Sequence, residues 1–470
     1  MASILDGLNI AKLALSAQQY AMNVAQRNTV NVNNSGYTRQ DVIFKDLTVP
    51  SNWSAFGTPG VELWAVRNSY LDQSISYELP ALGENLVKYN SLREIDAILQ
   101  GTGGGGLGTS IAQFFDSFTE LSSNPTAAAL RWQVISRAQT MTADFNRIYT
   151  EIQRVQSAAN LHVIRSLDDV NNMTAKIADL NGRIESAVTL GQKETEYALR
   201  DERQEIMEDL QGKMGVLYFE TEHGSYTVTT MQGDALVLGK TSYNLTLSSA
   251  AQPSNNSPFP DIYLGEKNIT SIVNSVSGEV EILLSGEIGG YLKVRDILIP
   301  GYLKQLDDMA ESIINNVNDI HKNGVGLDGI DDRAFFVELT SSDPSAVRAM
   351  KVSDDILNDQ NKIAAAAAGL GAADNSNAKL LAQIGIDEKF GEKYAELIYV
   401  IGSDQRTAKE TGENQQNLLG QLLGQRNAES SVSLNEEAIN LIKFQRAYQA
   451  SSRIVSLLDS LSAEILNFVR

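Results

Sequence analysis

The chain has 470 residues, of which 43% are hydrophobic and 20% charged, a composition typical of globular domains. Its formal net charge is −20, with 38 basic against 58 acidic residues. A chain this acidic shows no cluster of Lys and Arg of the kind that binds phosphates, so we do not expect nucleic acid as a partner. It has no cysteine, which removes disulfides, thiolate catalysis and cysteine-based metal sites.

Membrane insertion and a cleaved signal peptide are both unexpected. No apolar run approaches the roughly 18 residues needed to cross a bilayer. The amino terminus lacks a basic region before an apolar one, and Asp6, Asn9 and Lys12 interrupt its apolar stretch. If the protein is extracellular, we expect it to leave the cell by another route.

Two long amphipathic helices are predicted at the ends of the chain, in residues 1–40 and 430–470. In both, apolar residues recur at alternating steps of three and four, which places them on one face of a helix. Neither helix has a partner within its own segment, so we expect the two to pair as a coiled coil. The expected assembly interface consists of Leu8, Ala11, Leu15, Met22, Ala25, Phe444, Ala447, Ile454, Leu458, Leu461, Ile465 and Phe468.

Both terminal helices carry apolar residues on a second side as well. Examples are Ile10 and Leu13 at the amino end, and Leu434 and Leu441 at the carboxyl end. Both ends are close to electrically neutral, so the acidic excess lies in the middle of the chain. Near-neutral helices can be crowded together without repulsion, and we therefore expect lateral packing against further copies of the chain.

A segment rich in Asn and Gly follows the first helix. Since both residue types accept positive φ and cap helix ends, it predicts a helix stop and a tight turn, with Gly36 at positive φ. Residues 42–47 and 60–67 then alternate like two strands of a hairpin. The turn motif consists of Asn31, Asn33, Asn34, Gly36, Tyr37, Thr38 and Arg39.

Helical spacing returns at residues 69–100, with an interruption expected at Pro80. The Gly-rich residues 101–108 predict a flexible link. They lack the Lys and Ser or Thr that complete a phosphate-binding loop, so no nucleotide site is expected. Long helical stretches follow in residues 126–189 and 197–214.

The predicted fold class is mainly α with a β-rich insert, in three parts. Residues 1–40 and 430–470 form paired terminal helices, the inner assembly core. Residues 41–214 and 301–429 form an elongated, mainly helical bundle domain. Residues 215–300, where the composition changes to short alternating segments separated by turn residues, form an outer β-rich insert domain.

The sequence gives little indication of a catalytic or metal-binding site. The acidic loop at residues 328–333 lacks the ligand spacing of a calcium-binding loop, so a solvated turn is expected. His162, His223 and His321 lie near no recognisable nucleophile or metal-ligand spacing and are expected at capping or surface positions. We therefore expect no enzyme activity, no cofactor and no metal.

Several motifs resemble those of flagellar axial proteins. The turn motif, together with Gly7–Asn9, is similar to a motif shared by rod, hook and junction proteins. More specific resemblances to the hook-associated protein 1 family lie in Phe114–Phe118, Ser123–Pro125, Arg200–Arg203, Gly289–Arg295, Asn318–His321, Phe335–Phe336, Phe444–Tyr448 and Ile465–Phe468. The resemblance covers nearly the whole chain, although the insert region is shorter than the outer domains of many members.

The resemblance implies a structural, non-catalytic protein that forms the junction between hook and filament of the bacterial flagellum by helical self-assembly through its terminal helices. The implied partners are further copies in a helical ring, the hook protein, hook-associated protein 3, and the flagellar type III export apparatus with an export chaperone. The implied location is extracellular, on the flagellum. Two alternatives stay open: a hook or rod protein of the same axial family, and a secreted filament or adhesin-like protein.

Overall fold

The computed structural model describes residues 2–34, 36–44, 61–101, 106–248, 258–273 and 279–468. Its α-helices are α1 (Ala2–Val30), α2 (Ser69–Gln100), α3 (Leu107–Ser123), α4 (Ala128–Thr189), α5 (Lys193–Lys213), α6 (Gly286–Lys293), α7 (Ile299–Lys322), α8 (Ala346–Ala349), α9 (Asp354–Asn358), α10 (Ser376–Asp387), α11 (Phe390–Ser430) and α12 (Leu434–Phe468). A π-helical turn, Val294–Leu298, joins α6 to α7, and a short 3-10 helix spans Gln360–Lys362.

The strands are short and pair in small antiparallel sheets. They are β1 (Gln40–Phe44), β2 (Val61–Ala65), β3 (Val216–Glu220), β4 (Tyr226–Thr230), β5 (Ala235–Leu238), β6 (Thr241–Ser242), β7 (Leu245–Ser248), β8 (Asp261–Leu264), β9 (Lys267–Asn268), β10 (Ser271–Val273), β11 (Val280–Ile282), β12 (Gly324–Val325) and β13 (Ala366–Ala367). The sheet orders are β1-β2, β3-β4-β5-β6, β7-β8-β9, β10-β11 and β12-β13. The predicted class, mainly α with a β-rich part, is confirmed.

The chain divides into two compact units. Unit 1 contains residues 1–80, 169–244 and 415–470, and unit 2 contains residues 81–168 and 245–414. Strands β3 to β6 therefore belong to unit 1 and strands β7 to β11 to unit 2. This division differs from the expected three parts, and a single outer domain at residues 215–300 stays a prediction.

In unit 1, α1 packs along α12, so the predicted pairing of the terminal helices is confirmed. The hairpin prediction is confirmed as well, because β1 pairs with β2 in antiparallel register. The side of α1 that is shielded from water carries small residues, among them Ala11, Ala17, Ala21 and Ala25. Small side chains allow two helix backbones to approach closely.

The core of unit 2 is built around a cluster of phenylalanines. Phe114 and Phe118 lie one turn apart on α3, and both meet Phe335, with ring centroids 5.7 and 5.8 Å apart. Phe336 lies 5.8 Å from Phe114, and all four rings are fully buried. Burial of such side chains contributes about 1.5–3 kcal/mol each, so this cluster is a large part of the unit's stability.

His321 is fully buried beside this cluster, and the expected capping or surface position is wrong for it. Its Nδ1 lies 2.6 Å from the carbonyl oxygen of Arg333, and its Nε2 accepts the backbone N–H of Ala364 at 2.9 Å. Nδ1 therefore carries the proton and donates. Burial lowers the pKa of His321 to about 4, which keeps the ring neutral near pH 7.

Two expectations about helix boundaries are wrong. Pro80 lies inside α2 without ending it, because buried apolar residues continue at helical spacing on both sides, as at Ile75 and Val87. Helix also resumes earlier than residue 301, since α6 begins at Gly286, within the segment expected to be β-rich. Packing of the apolar face outweighs the hydrogen bond that proline removes.

Two consecutive glycines of α6 fit tight spaces within unit 2. A Cβ on Gly289 would lie 2.8 Å from the carbonyl carbon of Leu284, and a Cβ on Gly290 would lie 2.9 Å from the carbonyl oxygen of Glu84. Lys293 follows on the same helix and donates to Glu84 at 2.7 Å. The close approach of α6 to this part of α2 therefore requires glycine.

Gly289→Ala should destabilise the chain by at least about 2 kcal/mol, because its Cβ would collide with backbone rather than with a movable side chain. Gly301→Ala is the matched control, since Gly301 is exposed in α7 with open space around its Cβ position. That control should gain up to about 1 kcal/mol from helix propensity. Urea unfolding followed by circular dichroism measures both, and equal midpoints for the two variants would contradict the packing described.

Candidate functional site

A buried polar cluster lies where α1 ends. Asn28 is 1% exposed and its carboxamide makes four hydrogen bonds. Nδ2 donates to the carbonyl of Gln40 at 2.8 Å and to Oε1 of Glu437 at 3.1 Å. Oδ1 accepts from the hydroxyl of Tyr37 at 2.7 Å and from the N–H of Gln40 at 3.1 Å. We call Asn28, Tyr37, Gln40 and Glu437 the Asn28 hub.

The turn after α1 is held by asparagine side chains. Nδ2 of Asn31 donates to the carbonyl of Arg27 at 2.9 Å and caps the end of the helix. The N–H of Gly36 donates to Oδ1 of Asn34 at 3.2 Å, and that of Tyr37 donates to the carbonyl of Asn34 at 3.1 Å. The turn therefore closes through Asn side-chain bonds of the kind that mimic a backbone turn.

The expected positive φ at Gly36 is wrong. Gly36 is not among the glycines whose φ lies in the left-handed region. A Cβ there would lie 3.5 Å from Oε2 of Glu205, which is an ordinary contact. Because the Asn34 side chain closes the turn, no left-handed residue is needed at this position.

Residues after the turn bind two further helices. Thr38 donates from its N–H and its hydroxyl to the carboxylate of Asp201 on α5, at 3.0 and 2.7 Å. Arg39 pairs with Glu436 at the start of α12 at 2.6 Å, and its N–H donates to the carbonyl of Ser430 at 2.9 Å. The turn motif thus ties α1, α5 and the α11–α12 connection together.

Arginines face the buried carboxylates around this site. Arg67 lies 3.1 Å from Asp72 and 3.9 Å from Asp201. Arg426 lies 3.6 Å from Asp72 and also pairs with Glu208. Burial raises the pKa of Asp72 and of Asp201. Arg67 and Arg426 oppose that shift at Asp72, and the hydrogen bonds from Thr38, followed by the charge of Arg67, oppose it at Asp201.

Burial likewise raises the pKa of the Glu437 carboxyl, against the opposing effects of the Asn28 hydrogen bond and the Arg39 charge. It also raises the pKa of the Tyr37 hydroxyl to about 12, so this group stays a hydrogen-bond donor to Asn28. All these groups make structural bonds. Among the described residues, no group of three or more His, Asp or Glu side chains is placed to hold a metal ion.

The structure places the predicted interface residues in different environments. Ala11, Ala25 and Phe444 are buried, whereas Ile454 and Leu461 are 51% and 40% exposed. The half-buried members are Leu8, Leu15, Met22, Ala447 and Leu458. The side chains of Ile465 and Phe468 lie outside the described residues. Their role in contacts between copies stays a prediction.

The turn motif residues also differ in exposure. Thr38 is buried, Asn33 and Asn34 are exposed, and Asn31, Gly36, Tyr37 and Arg39 are half-buried. Sequence reasoning missed Asn28, Gln40, Asp201 and Glu437, although they carry the central bonds. A signal was present for two of them, since Asn28 and Glu437 continue the three-and-four spacing of their helices as polar residues in apolar rows.

One side of α12 exposes a row of large apolar side chains. The row consists of Ile439, Ile442, Ile454, Leu457 and Leu461, which are 66, 52, 51, 62 and 40% exposed. We call it the outward stripe. Helical periodicity places its members on one side of α12, away from the side that carries the buried Glu437 and Phe444. Sequence reasoning missed Ile439, Ile442 and Leu457.

No helix in the described part of the chain is long and apolar enough to span a bilayer. The outward stripe is confined to one side of α12. The exposed residues of α1 are mostly polar, among them Asn9, Lys12 and Gln19, and the exposed apolar ones are Ile10 and Val30. The apolar surface of the terminal pair therefore has the width of a helix-binding face.

Two models of protein families match the chain. The model described as the flagellar hook-associated protein FlgK helical domain matches residues 92–336, more than half of the chain. The model described as the flagellar basal body rod FlgEFG protein C-terminal region matches residues 425–468. The second match contains the whole of α12, including the outward stripe.

Similar proteins cover the chain almost from end to end. Flagellar hook-associated protein 1 of Bacillus subtilis (strain 168) is 26% identical, with 99% of each chain covered. That of Escherichia coli (strain K12) is 25% identical, over 98% of this chain and 99% of the relative. The solved flagellar hook junction protein FlgK from Burkholderia pseudomallei has a TM-score of 0.63 at 15% identity, over 75% of this chain and 99% of that one. The structural match shows a shared fold.

Asn28→Ala should lower the free energy of unfolding by about 2–4 kcal/mol, because it leaves the N–H and carbonyl of Gln40 and the Glu437 carboxylate buried with fewer partners. Asn23→Ala is the control, since Asn23 is exposed on the same helix. It should change stability by less than about 0.5 kcal/mol. Urea denaturation followed by circular dichroism compares them. A loss below about 1 kcal/mol at Asn28 would show that the hub does not stabilise the fold.

Proposed function

This chain belongs to the FlgK family of flagellar hook-associated proteins, and we propose that it builds the hook–filament junction by packing its paired terminal helices against those of neighbouring copies. The protein is a structural component of the bacterial flagellum. It assembles there with other flagellar components. The outward stripe of α12 is the observation that carries the proposed mode of assembly.

The stripe supports self-assembly through its exposed apolar area. Burying a Leu or Ile side chain contributes about 1.5–3 kcal/mol, and five such side chains lie on one side of a single helix. In a monomer these side chains stay in water, so burial against a neighbouring copy would lower the free energy of the assembly. Lys443, Arg446 and Arg453 lie among them, so the stripe also carries positive charge that orients a neighbour.

The junction role is favoured over the alternatives by the family match. A hook or rod protein of the wider axial family would share the carboxyl-terminal region, which is the smaller of the two matches. The larger match is to the helical domain of the hook-associated protein itself. A secreted adhesin-like protein would be expected to match neither.

The proposed partners are further copies of the chain in a helical ring, the hook protein on one side and hook-associated protein 3 on the other. We further propose export through the flagellar type III apparatus with the help of an export chaperone, without a cleaved signal peptide. We propose no catalytic activity, because the buried titratable groups of the Asn28 hub and its surroundings are engaged in structural bonds.

Export without cleavage predicts that protein from isolated flagella keeps its amino-terminal peptide, residues 2–12. Mass spectrometry after trypsin digestion detects this peptide, and the same protein retained in export-blocked cells is the control. Equal abundance of the peptide in both samples is expected. Its absence only from the flagellar sample would show that a signal segment is removed.

The double variant Ile454→Gln, Leu457→Gln should abolish junction assembly while leaving the monomer folded, since both side chains are exposed. Gln445→Ala with Ser452→Ala is the control, because both residues are exposed on α12 outside the outward stripe. In a strain that lacks the protein, filaments attached to hooks should fall at least about tenfold with the first variant, because each lost apolar contact weakens binding by more than about 1.4 kcal/mol.

The control variant should restore filaments. Electron microscopy of the cells counts the filaments, and circular dichroism with an export assay shows that each variant is folded and secreted. Full filament numbers with the Ile454→Gln, Leu457→Gln variant, in a secreted and folded state, would exclude the outward stripe as the assembly contact.

A further inference from the structure

The terminal helix pair is antiparallel, and two contacts define its register. Asn28 bonds Glu437 at one end of the pair. At the other end, a Cβ on Gly7 would lie 3.4 Å from Cδ1 of Leu458. Asn28 lies three heptads after Gly7, and Glu437 lies three heptads before Leu458. The two contacts are therefore separated by the same distance along both helices and belong to one register. Ala21 and Phe444, one heptad from the Asn28–Glu437 end of this series, belong to one buried cluster.

The apolar part of α1 specifies this register weakly. Its residues at alternating steps of four and three are almost all small: Gly7, Ala11, Ala14, Gln18, Ala21 and Ala25. A shift by one heptad, about 10.5 Å along the axis, would present nearly the same surface to α12. Gln18 does not fix the position either, because its Oε1 has no hydrogen-bond partner among the described residues.

Asn28 and Glu437 distinguish the observed register from the shifted ones. They are 1% and 2% exposed, and they meet directly. If α1 slid by one heptad in one direction, Glu437 would face Ala21 and its carboxylate would be buried against a methyl group. In the other direction Asn28 would face the ring of Phe444. Either shift leaves a buried polar group without a hydrogen-bond partner, which raises the free energy of the shifted pair.

We propose that Asn28 and Glu437 are positioning residues that set the register of the terminal helix pair. The small-residue face of α1 supplies contact without a preferred register, and the buried polar pair selects one. Register matters because it fixes where along the pair the outward stripe is presented. The inference goes beyond the proposed function, since the selection takes place within a single chain.

Because the chain has no cysteine, introduced cysteine pairs report the register directly. Gly7→Cys with Leu458→Cys reports the native register. Gly7→Cys with Ser451→Cys reports a shift of one heptad in one direction, and Ala14→Cys with Leu458→Cys reports the opposite shift. A short bifunctional thiol reagent is applied to the purified full-length protein, and intramolecular crosslinks are quantified by non-reducing electrophoresis and mass spectrometry.

With the polar pair intact, the native-register crosslink should exceed either shifted crosslink at least about tenfold. In the Asn28→Leu, Glu437→Leu background, the shifted crosslinks should rise to within about threefold of the native one. Asn23→Leu with Glu464→Leu is the matched control, because it makes the same changes at exposed positions of the same helices. This control should keep the tenfold preference.

Glu437→Gln should also keep the preference, because the amide oxygen still accepts from Asn28. The inference is overturned if shifted and native crosslinks are already equal with the polar pair intact, or if the double Leu variant keeps the native preference. It is also overturned if the double Leu variant loses all three crosslinks, since the polar pair would then hold the helices together rather than select their register. None of these outcomes depends on junction assembly, so they are separate from the test of the outward stripe.

Discussion

The carboxamide of Asn28 is the constraint on which the assembly end of this protein depends. Its two donors and two acceptors are all engaged, by α12, by the backbone of β1 and by Tyr37. A buried amide with all its hydrogen bonds made fixes several groups at once, because moving any one of them leaves a polar atom unpaired. The end of α1, the entry to the hairpin and the start of α12 are therefore positioned together.

Carboxylates and arginines extend this constraint through unit 1. Asp72, Asp201 and Glu437 lie in surroundings that raise their pKa, and Arg67, Arg426 or Arg39 faces each of them. Buried ion pairs contribute little net stability, since desolvation offsets the attraction. Removal of one partner, however, leaves a buried charge uncompensated, so these pairs disfavour other arrangements of their neighbours.

Unit 2 relies on apolar packing instead, with buried arginines at its helix ends. Arg131 donates to the carbonyls of Pro125 and Ile363, each at 2.7 Å, and Arg295 is bound by Asp296 and by Asn160 at 2.8 Å. These bonds satisfy buried backbone and side-chain polar groups within unit 2. A densely packed unit transmits load without rearranging, which suits a structural component of a motile organelle.

The sequence by itself determined the elements whose signal is local. Three-and-four spacing predicted α1, α2 and α12, and alternation predicted the hairpin of β1 and β2, because those periodicities reflect a single buried face. Only the tertiary structure decided what depended on distant partners. Asn28 and Glu437 lie near opposite ends of the sequence and are hydrogen-bonded in the structure. His321 is buried by residues distant in sequence, and α2 stays helical through Pro80 because apolar residues on both sides of the proline are packed. The same apolar period that predicts a helix does not say which side another part of the chain covers, so the outward stripe of α12 became visible only once α1 had taken the opposite side.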